Sequence, residues 1–280
     1  MRTVPPMAAL HHDTLLRSIA AVSLTAMCAA CAGSSTPPSA GSTSAASIVS
    51  APAPAPPHPA GRPALKIADP YFPKIDPAAF STKIDNAFMP LTPGTRTTYE
   101  ADTAEGHQQT LTEVTRDTKT IMGVTTVVVH DTVTSNGAPL EDTLDWFAQD
   151  RDGNVWYFGE ASKAFDAGGA VSTEGSFEAG VDGAQPGIVM PGRPQIGDQY
   201  RQEYAKGVAE DTGEVLSLTG SENTPLTGPA KDLLVIKDMD PLDPANADED
   251  KYYARGVGLI LTIQTTGPAE REQATVVRRF

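Results

Sequence analysis

The sequence predicts an all-β domain: a single, mostly antiparallel meander forming a curved sheet or barrel-like body, with one long glycine-rich loop. Three observations carry this reading. Short runs rich in Val, Thr, Ile, Tyr and Phe recur from Thr95 onward, separated by turn residues, and such side chains pack well on a pleated surface. No stretch has the spacing and caps of a long amphipathic helix. The links between runs are short, which favours neighbouring antiparallel strands over crossovers.

The chain divides into three parts. Residues 1–31 form a targeting segment. Arg2 and Arg17 supply positive charge, and the apolar run 19–30 is too short to span a membrane. It ends Cys28-Ala29-Ala30-Cys31, which resembles a bacterial lipobox and makes Cys31 the expected lipidated residue. Both cysteines of the chain lie here, so the rest has neither disulfide nor thiol chemistry. Residues 32–64 are a tether of Ser, Ala, Pro, Thr and Gly. Its APAPAPPHPAGRP favours extended polyproline II and cannot form a packed core. Residues 65–280 suit a single domain, and a chain of roughly 200 residues can bury about 70% of its unfolded surface.

The opening of the domain, 65–94, is proline-punctuated and reads as a wrapping lead-in. Its apolar residues Phe72, Ile75, Phe80, Ile84 and Phe88 are expected to dock on the body, with one helical turn within 76–84. Strand candidates then follow at 95–101, 108–115, 124–135, 140–149, 155–160, 170–177, 199–205, 208–218, 233–237, 251–255, 259–266 and 274–279. Asn136-Gly137 favours a tight hairpin turn.

The segment 141–160, EDTLDWFAQDRDGNVWYFGE, holds both tryptophans and six carboxylates. Asp150-Arg151-Asp152-Gly153 suits a type I turn followed by a left-handed residue. The hairpin then pairs Asp150 with Asn154, Ala148 with Trp156 and Trp146 with Phe158. One face presents Leu144, Trp146, Ala148, Trp156 and Phe158. The other presents Asp145, Phe147, Gln149, Val155 and Tyr157. Aromatics on both faces mean that something covers the second one. The glycine-rich stretch 159–199, with AGVDGAQPGIVMPG at 179–192, is the expected cover. It acts either as an internal lid completing the core or as a lid over a ligand site. Trp146, Phe147, Trp156 and Tyr157 are therefore the candidate ligand-binding residues.

Chemical motifs are sparse. Asp150, Asp152 and Asn154 alternate like the start of a calcium loop, but Gly153 comes too early and the twelfth position is Ala161. Glu141 and Asp145 share a face about 13 Å apart by strand rise, which is wide for an acid–base pair. A catalytic partner would come from another strand, with Glu203, Glu210 and Asp211 as candidates. Solvated surface charges are the expected reading of these acids. His107 and His130 are too few for a three-histidine zinc site. No nucleophile elbow, phosphate loop or dinucleotide fingerprint occurs in context. No cofactor and no metal site is expected, and no catalytic residue is assigned. The net charge of −14 argues against a nucleic-acid partner. The closing TVVRRF resembles the sorting signal of outer-membrane barrels, but Arg278 and Arg279 favour the last strand of a soluble domain.

The segments DWFAQDRDGNVWYFGE, AGVDGAQPGIVMPG, RQEYAKGVAED (201–211) and KYYARGVG (251–258) together resemble a group of bacterial exported lipoproteins of unknown function, over most of 80–260. That resemblance implies export and carries no activity or site residue. The functional expectation is an exported β-domain, lipid-anchored in the cell envelope through Cys31, on the periplasmic face of a membrane if the cell is Gram-negative. It acts as a binding or envelope-interaction module for a small apolar, glycan or peptide ligand. A carboxylate-dependent envelope hydrolase and a calcium-stabilised surface protein are the alternatives.

Overall fold

The computed structural model describes residues 63–280 except 105, 246–247 and 268–269. The targeting segment, Cys31 and nearly all of the tether lie outside the described residues.

The lead-in contains a 3-10 turn, Pro77–Ala79, capped by Asp76, whose carboxylate accepts from the Ala78 amide. Three two-residue strands surround it: β1 (Phe80–Ser81), β2 (Ile84–Asp85) and β3 (Pro90–Leu91). The long strands follow as β4 (Thr95–Thr103), β5 (Gly106–Ile121), β6 (Val124–Ser135), β7 (Ala138–Asp150) and β8 (Val155–Phe165). The glycine-rich segment contributes β9 (Val171–Ser172), β10 (Phe177–Glu178) and β11 (Gln185–Met190). The remainder comprises β12 (Gln199–Arg201), β13 (Glu203–Tyr204), β14 (Thr212–Thr224), β15 (Gly228–Met239), β16 (Glu249–Ala254), β17 (Gly258–Gln264) and β18 (Arg271–Arg279). Among the described residues the only helical element is the 3-10 turn.

The predicted all-β antiparallel architecture is what the chain adopts. Sixteen strands join one sheet, whose main path runs β12-β14-β15-β16-β17-β18-β4-β5-β6-β7-β8-β11-β13. The two ends of that path are consecutive in the chain. Arg201 pairs with Thr212 on β14, and Glu203 pairs with Pro186 on β11. Between them the Gln202 amide donates to the Asp211 carbonyl at 2.8 Å. A single segment, Gln199 to Tyr204, thus bridges both edges and nearly closes the sheet into a barrel, which removes the exposed edges of an open sheet.

Local chemistry explains the hairpins. β6 has the predicted bounds, because its Val and Thr residues are β-branched and stiff. Asn136 and Gly137 both take positive φ, 49° and 83°, as the mirror-image turn between β6 and β7 requires. At the β7–β8 turn Gly153 takes φ 85°. Asp150 accepts from the amides of Asp152 and Asn154, both at 2.9 Å, and from the Asn154 amide group and the Trp156 indole, both at 2.8 Å.

Three differences from the sequence expectation have physical causes. First, the register is Ala148 with Trp156 as predicted, but it shifts between Phe147–Tyr157 and Asp145–Glu160. Gly159 (φ 117°) is the extra residue of a β-bulge opposite Trp146. A Cβ there would lie 2.2 Å from the Phe177 carbonyl oxygen, so the close approach of β10 also excludes any other residue. Second, the glycine-rich segment is not simply a loop: β11 is part of the wall, paired with β8 and β13. Its Pro and Gly disguise a strand that pairs only briefly on each side. Third, Phe72 does not dock; it is 71% exposed.

The Trp146 face of the hairpin is covered chiefly by the lead-in and not by the expected glycine-rich stretch, which adds only Ala179. Trp146, Ala148 and Phe158 pack outside the wall with Ile121, Val124, Val128 and Ala179, and the lead-in lays Ile75 and Phe80 over them. The Phe80 ring meets Trp156 and Phe158 edge-on, with centroids 6.0 and 5.6 Å away. Asn86 pins the lead-in at the turn by donating to the Gly153 carbonyl at 2.8 Å. The main core lies inside, where Phe147, Val155 and Tyr157 meet Met190, Leu234 and Ile236.

Candidate functional site

The interior is not filled completely. A cavity of about 120 Å³ opens within the barrel. Engineered apolar cavities of about 150 Å³ accommodate benzene, so the space suits a very small molecule. The lining divides by chemistry. Met89, Pro90 and Leu91 of the lead-in, Val114, Val129, Phe147, Val189 and Leu259 make an apolar part. Asp131, Gln202, Glu203, Asp211, Asp238 and Lys251 make a polar one.

Strand alternation puts these acids inside. On β7, Asp145 is two residues from Phe147 and therefore on its face. On β8 the bulge at Gly159 delivers Glu160 to the same side as Tyr157, which regular alternation would prevent. Asp131 follows Val129 on β6 by the same two-residue step, and Glu203 sits on the closing segment. The expectation that the hairpin acids and their cross-strand partners are solvated is overturned for Asp145 and Glu203, which are 0% and 6% exposed, whereas the Asp142 side chain is 44% exposed. Glu210, the third suggested partner, instead pairs with Arg201 at 3.7 Å.

The Tyr157 hydroxyl lies 2.6 Å from Asp145 Oδ1 and 2.8 Å from Glu160 Oε2. A hydroxyl has one proton to donate. It can therefore donate to only one of the two carboxyls at a time, and a proton retained on an acid would supply the second contact. Burial pushes the Asp145 carboxyl well above its ordinary range, and the Asp131 and Glu160 charges add to it. Burial likewise raises Glu203, helped by Asp211 and Glu160. Asp211 is raised to about 8 by burial and by Asp240. Asp131 is raised to about 6, again mainly by burial, and Glu141 to about 7.

Lys251 is the buried counter-charge. Burial opposes its positive form, but Asp238 and Glu249 outweigh that and raise its pKa. It forms an ion pair with Asp238 and lies 3.8 Å from Glu249. Asp238 also accepts from Gln202 at 2.9 Å. Glu203 Oε2 and Asp131 Oδ1 are buried without a hydrogen-bond partner in the protein. A buried acceptor left unsatisfied costs about 1–3 kcal/mol, so a donor reaching either side chain from the cavity is favoured.

The four aromatic candidates do not converge on one site. Phe147 and Tyr157 line the cavity, stacked with centroids 5.0 Å apart. Trp146 and Trp156 belong to the outer cluster. Trp146 is covered by Lys119, whose ammonium lies 3.4 Å from its ring centroid. The alternate calcium-like residues serve the turn, since both Asp150 oxygens already accept hydrogen bonds. Among the described residues no group of three or more His, Cys, Asp or Glu side chains could hold a metal ion. Sequence reasoning missed Asp131, Asp238 and Lys251. A usable signal existed, because Glu141, Asp145 and Phe147 are in phase along one strand.

Fold and site together define an antiparallel β-barrel with a carboxyl-lined internal cavity. Compared with known proteins, the chain matches no family profile and no curated protein. Among solved structures it is similar to a predicted exported protein with a YmcC-like fold from Bacteroides fragilis NCTC 9343. Identity is 15%, the match covers 69% of this chain and 99% of that one, and the TM-score is 0.41. A likeness this distant transfers no function.

Proposed function

We propose that the chain is an exported, lipid-anchored envelope protein whose barrel binds a small ligand in its interior. The leader ending at Cys31 and the tether 32–64 support export and anchoring, and both rest on sequence. The cavity supports binding. The observation that carries this reading is that Glu203 and Asp131, each with a buried, unpartnered carboxyl oxygen, line a space with an apolar part beside them. Concave, mainly apolar spaces with a few polar groups are the usual form of a small-molecule site. Phe147 and Tyr157 contribute to the site, while Trp146 and Trp156 stabilise the wall that presents it.

A lipid-facing barrel fits less well. Thr97 and Tyr99 face inward, so Arg96, Thr98 and Glu100 face outward. Arg96 pairs there with Glu113 at 2.7 Å, and charges on a lipid-facing wall are costly near the bilayer midplane. A carboxylate hydrolase also fits less well. Of the acids lining the cavity, Asp238 is committed to Lys251 and Gln202 and is not free to act as acid or base.

Amide NMR shifts on titration with amphiphiles of about four to eight heavy atoms test the binding reading. Shifts centred on Phe147, Tyr157 and Leu259 are expected. Shifts centred on Trp156 and Phe80, or none, reject the interior as the site. Separately, Cys31→Ser is expected to release the full chain from membranes; continued membrane retention rejects the lipid anchor.

A further inference from the structure

We propose that the cavity takes a small organic cation, an amine on a short apolar body; this rests on the interior-binding reading above. Four carboxyls line the space, Asp131, Glu203, Asp211 and Asp238, against one cation, Lys251. Lys251 is already engaged with Asp238. Asp131 and Glu203 are 5% and 6% exposed, and each has an oxygen with no protein donor.

The missing complement is a donor group. An ammonium offers three N–H donors and no acceptor, and its charge favours the ionised form of the surrounding acids, whose mutual repulsion it offsets. A carboxylate or phosphate ligand would add to that repulsion. A bare metal ion fits less well than an organic cation, because the described acids are not grouped at ligating distances. Beside the acids, Leu91, Val114, Val129, Phe147 and Leu259 supply apolar contact for a short hydrocarbon body. The volume of about 120 Å³ sets the size: roughly five or six heavy atoms, on the scale of a cavity that takes benzene.

The test compares n-butylamine, 1-butanol and butyrate, similar in shape and different in charge, by amide NMR titration of the protein. Butylamine is expected to bind at least tenfold more tightly than butanol, with shifts at cavity residues, and butyrate not to bind. Glu203→Gln is expected to weaken butylamine at least fivefold and to leave butanol unchanged. Asp131→Asn serves as a second variant, and both nearly preserve the shape of a protonated acid. Butanol binding as well as butylamine, butyrate preferred, butylamine shifts confined to the outer surface, or both variants leaving amine affinity intact would overturn the cationic ligand while leaving the cavity reading in place. No cavity shift with any of the three would overturn both.

Discussion

Raising the pH from 5 to 8 is expected to weaken the fold, because the interior acids are more stable protonated. The sign follows from proton binding. A carboxyl whose folded pKa is raised binds more protons when folded than when unfolded. Its contribution is full below the unfolded value and is lost as pH climbs through the folded one. Asp211 rises from 3.8 to about 8. At about 1.4 kcal/mol per pH unit, it alone costs about 3–4 kcal/mol between pH 5 and 8. Glu141, raised to about 7, adds about 2 kcal/mol, and Asp131, raised to about 6, adds about 1 kcal/mol on the same scale. Asp145 and Glu203 act in the same direction. The raised Lys251 and Lys237 do not offset this, since their stabilisation is intact until pH passes the ordinary lysine value of 10.5. A loss of about 6–7 kcal/mol on this scale is a large part of a typical total stability of about 5–15 kcal/mol. Urea denaturation at pH 5, 6.5 and 8 measures it, with Asp211→Asn as the control. The variant should lose about 3 kcal/mol less than the wild type over this range. Equal or greater wild-type stability at pH 8, or an unchanged slope in the variant, refutes the reasoning.

Other outcomes follow from single contacts. Gly159→Ala places a methyl 2.2 Å from the Phe177 carbonyl oxygen at φ 117°, and should cost about 3 kcal/mol or more in urea denaturation. Asp150→Ala removes an acceptor of four hydrogen bonds at the hairpin turn; a loss of about 2–3 kcal/mol is expected, with the Trp156 fluorescence shifted. Because those oxygens are already occupied, adding a calcium chelator should leave the melting temperature unchanged, and a marked drop would restore the calcium-stabilised alternative.

The strand pattern was legible where chemistry was local. The Val/Thr run of β6, the Asn136-Gly137 turn and the Asp150–Gly153 turn are specified by a few neighbouring residues. What was illegible was what each face met. Glu141 and Asp145 read as surface charges, because ionisable groups are seldom fully buried. A nearly closed barrel reverses that expectation: its inner face is remote from water, where acids are tolerated by retaining protons. β11 was hidden because Pro186 and Gly187 suggest a loop, and only pairing with distant β8 and β13 makes the segment a strand. The bulge at Gly159 lies where β10 pairs with β8, so the inward turn of Glu160 could not be read from β8 alone. The four aromatics were grouped by proximity in sequence, and alternation divided them between an outer cluster and the cavity.

The central claim is that the inside of the barrel, rather than the aromatic outer wall, is where this protein binds a small organic cation. A crystal structure determined with n-butylamine addresses it most directly. The account predicts density inside the barrel, with the nitrogen within hydrogen-bond distance of Glu203 or Asp131 and the carbons against Phe147 and Leu259. Density at the Trp156–Phe80 face, or an interior holding only ordered water at saturating amine, would contradict it.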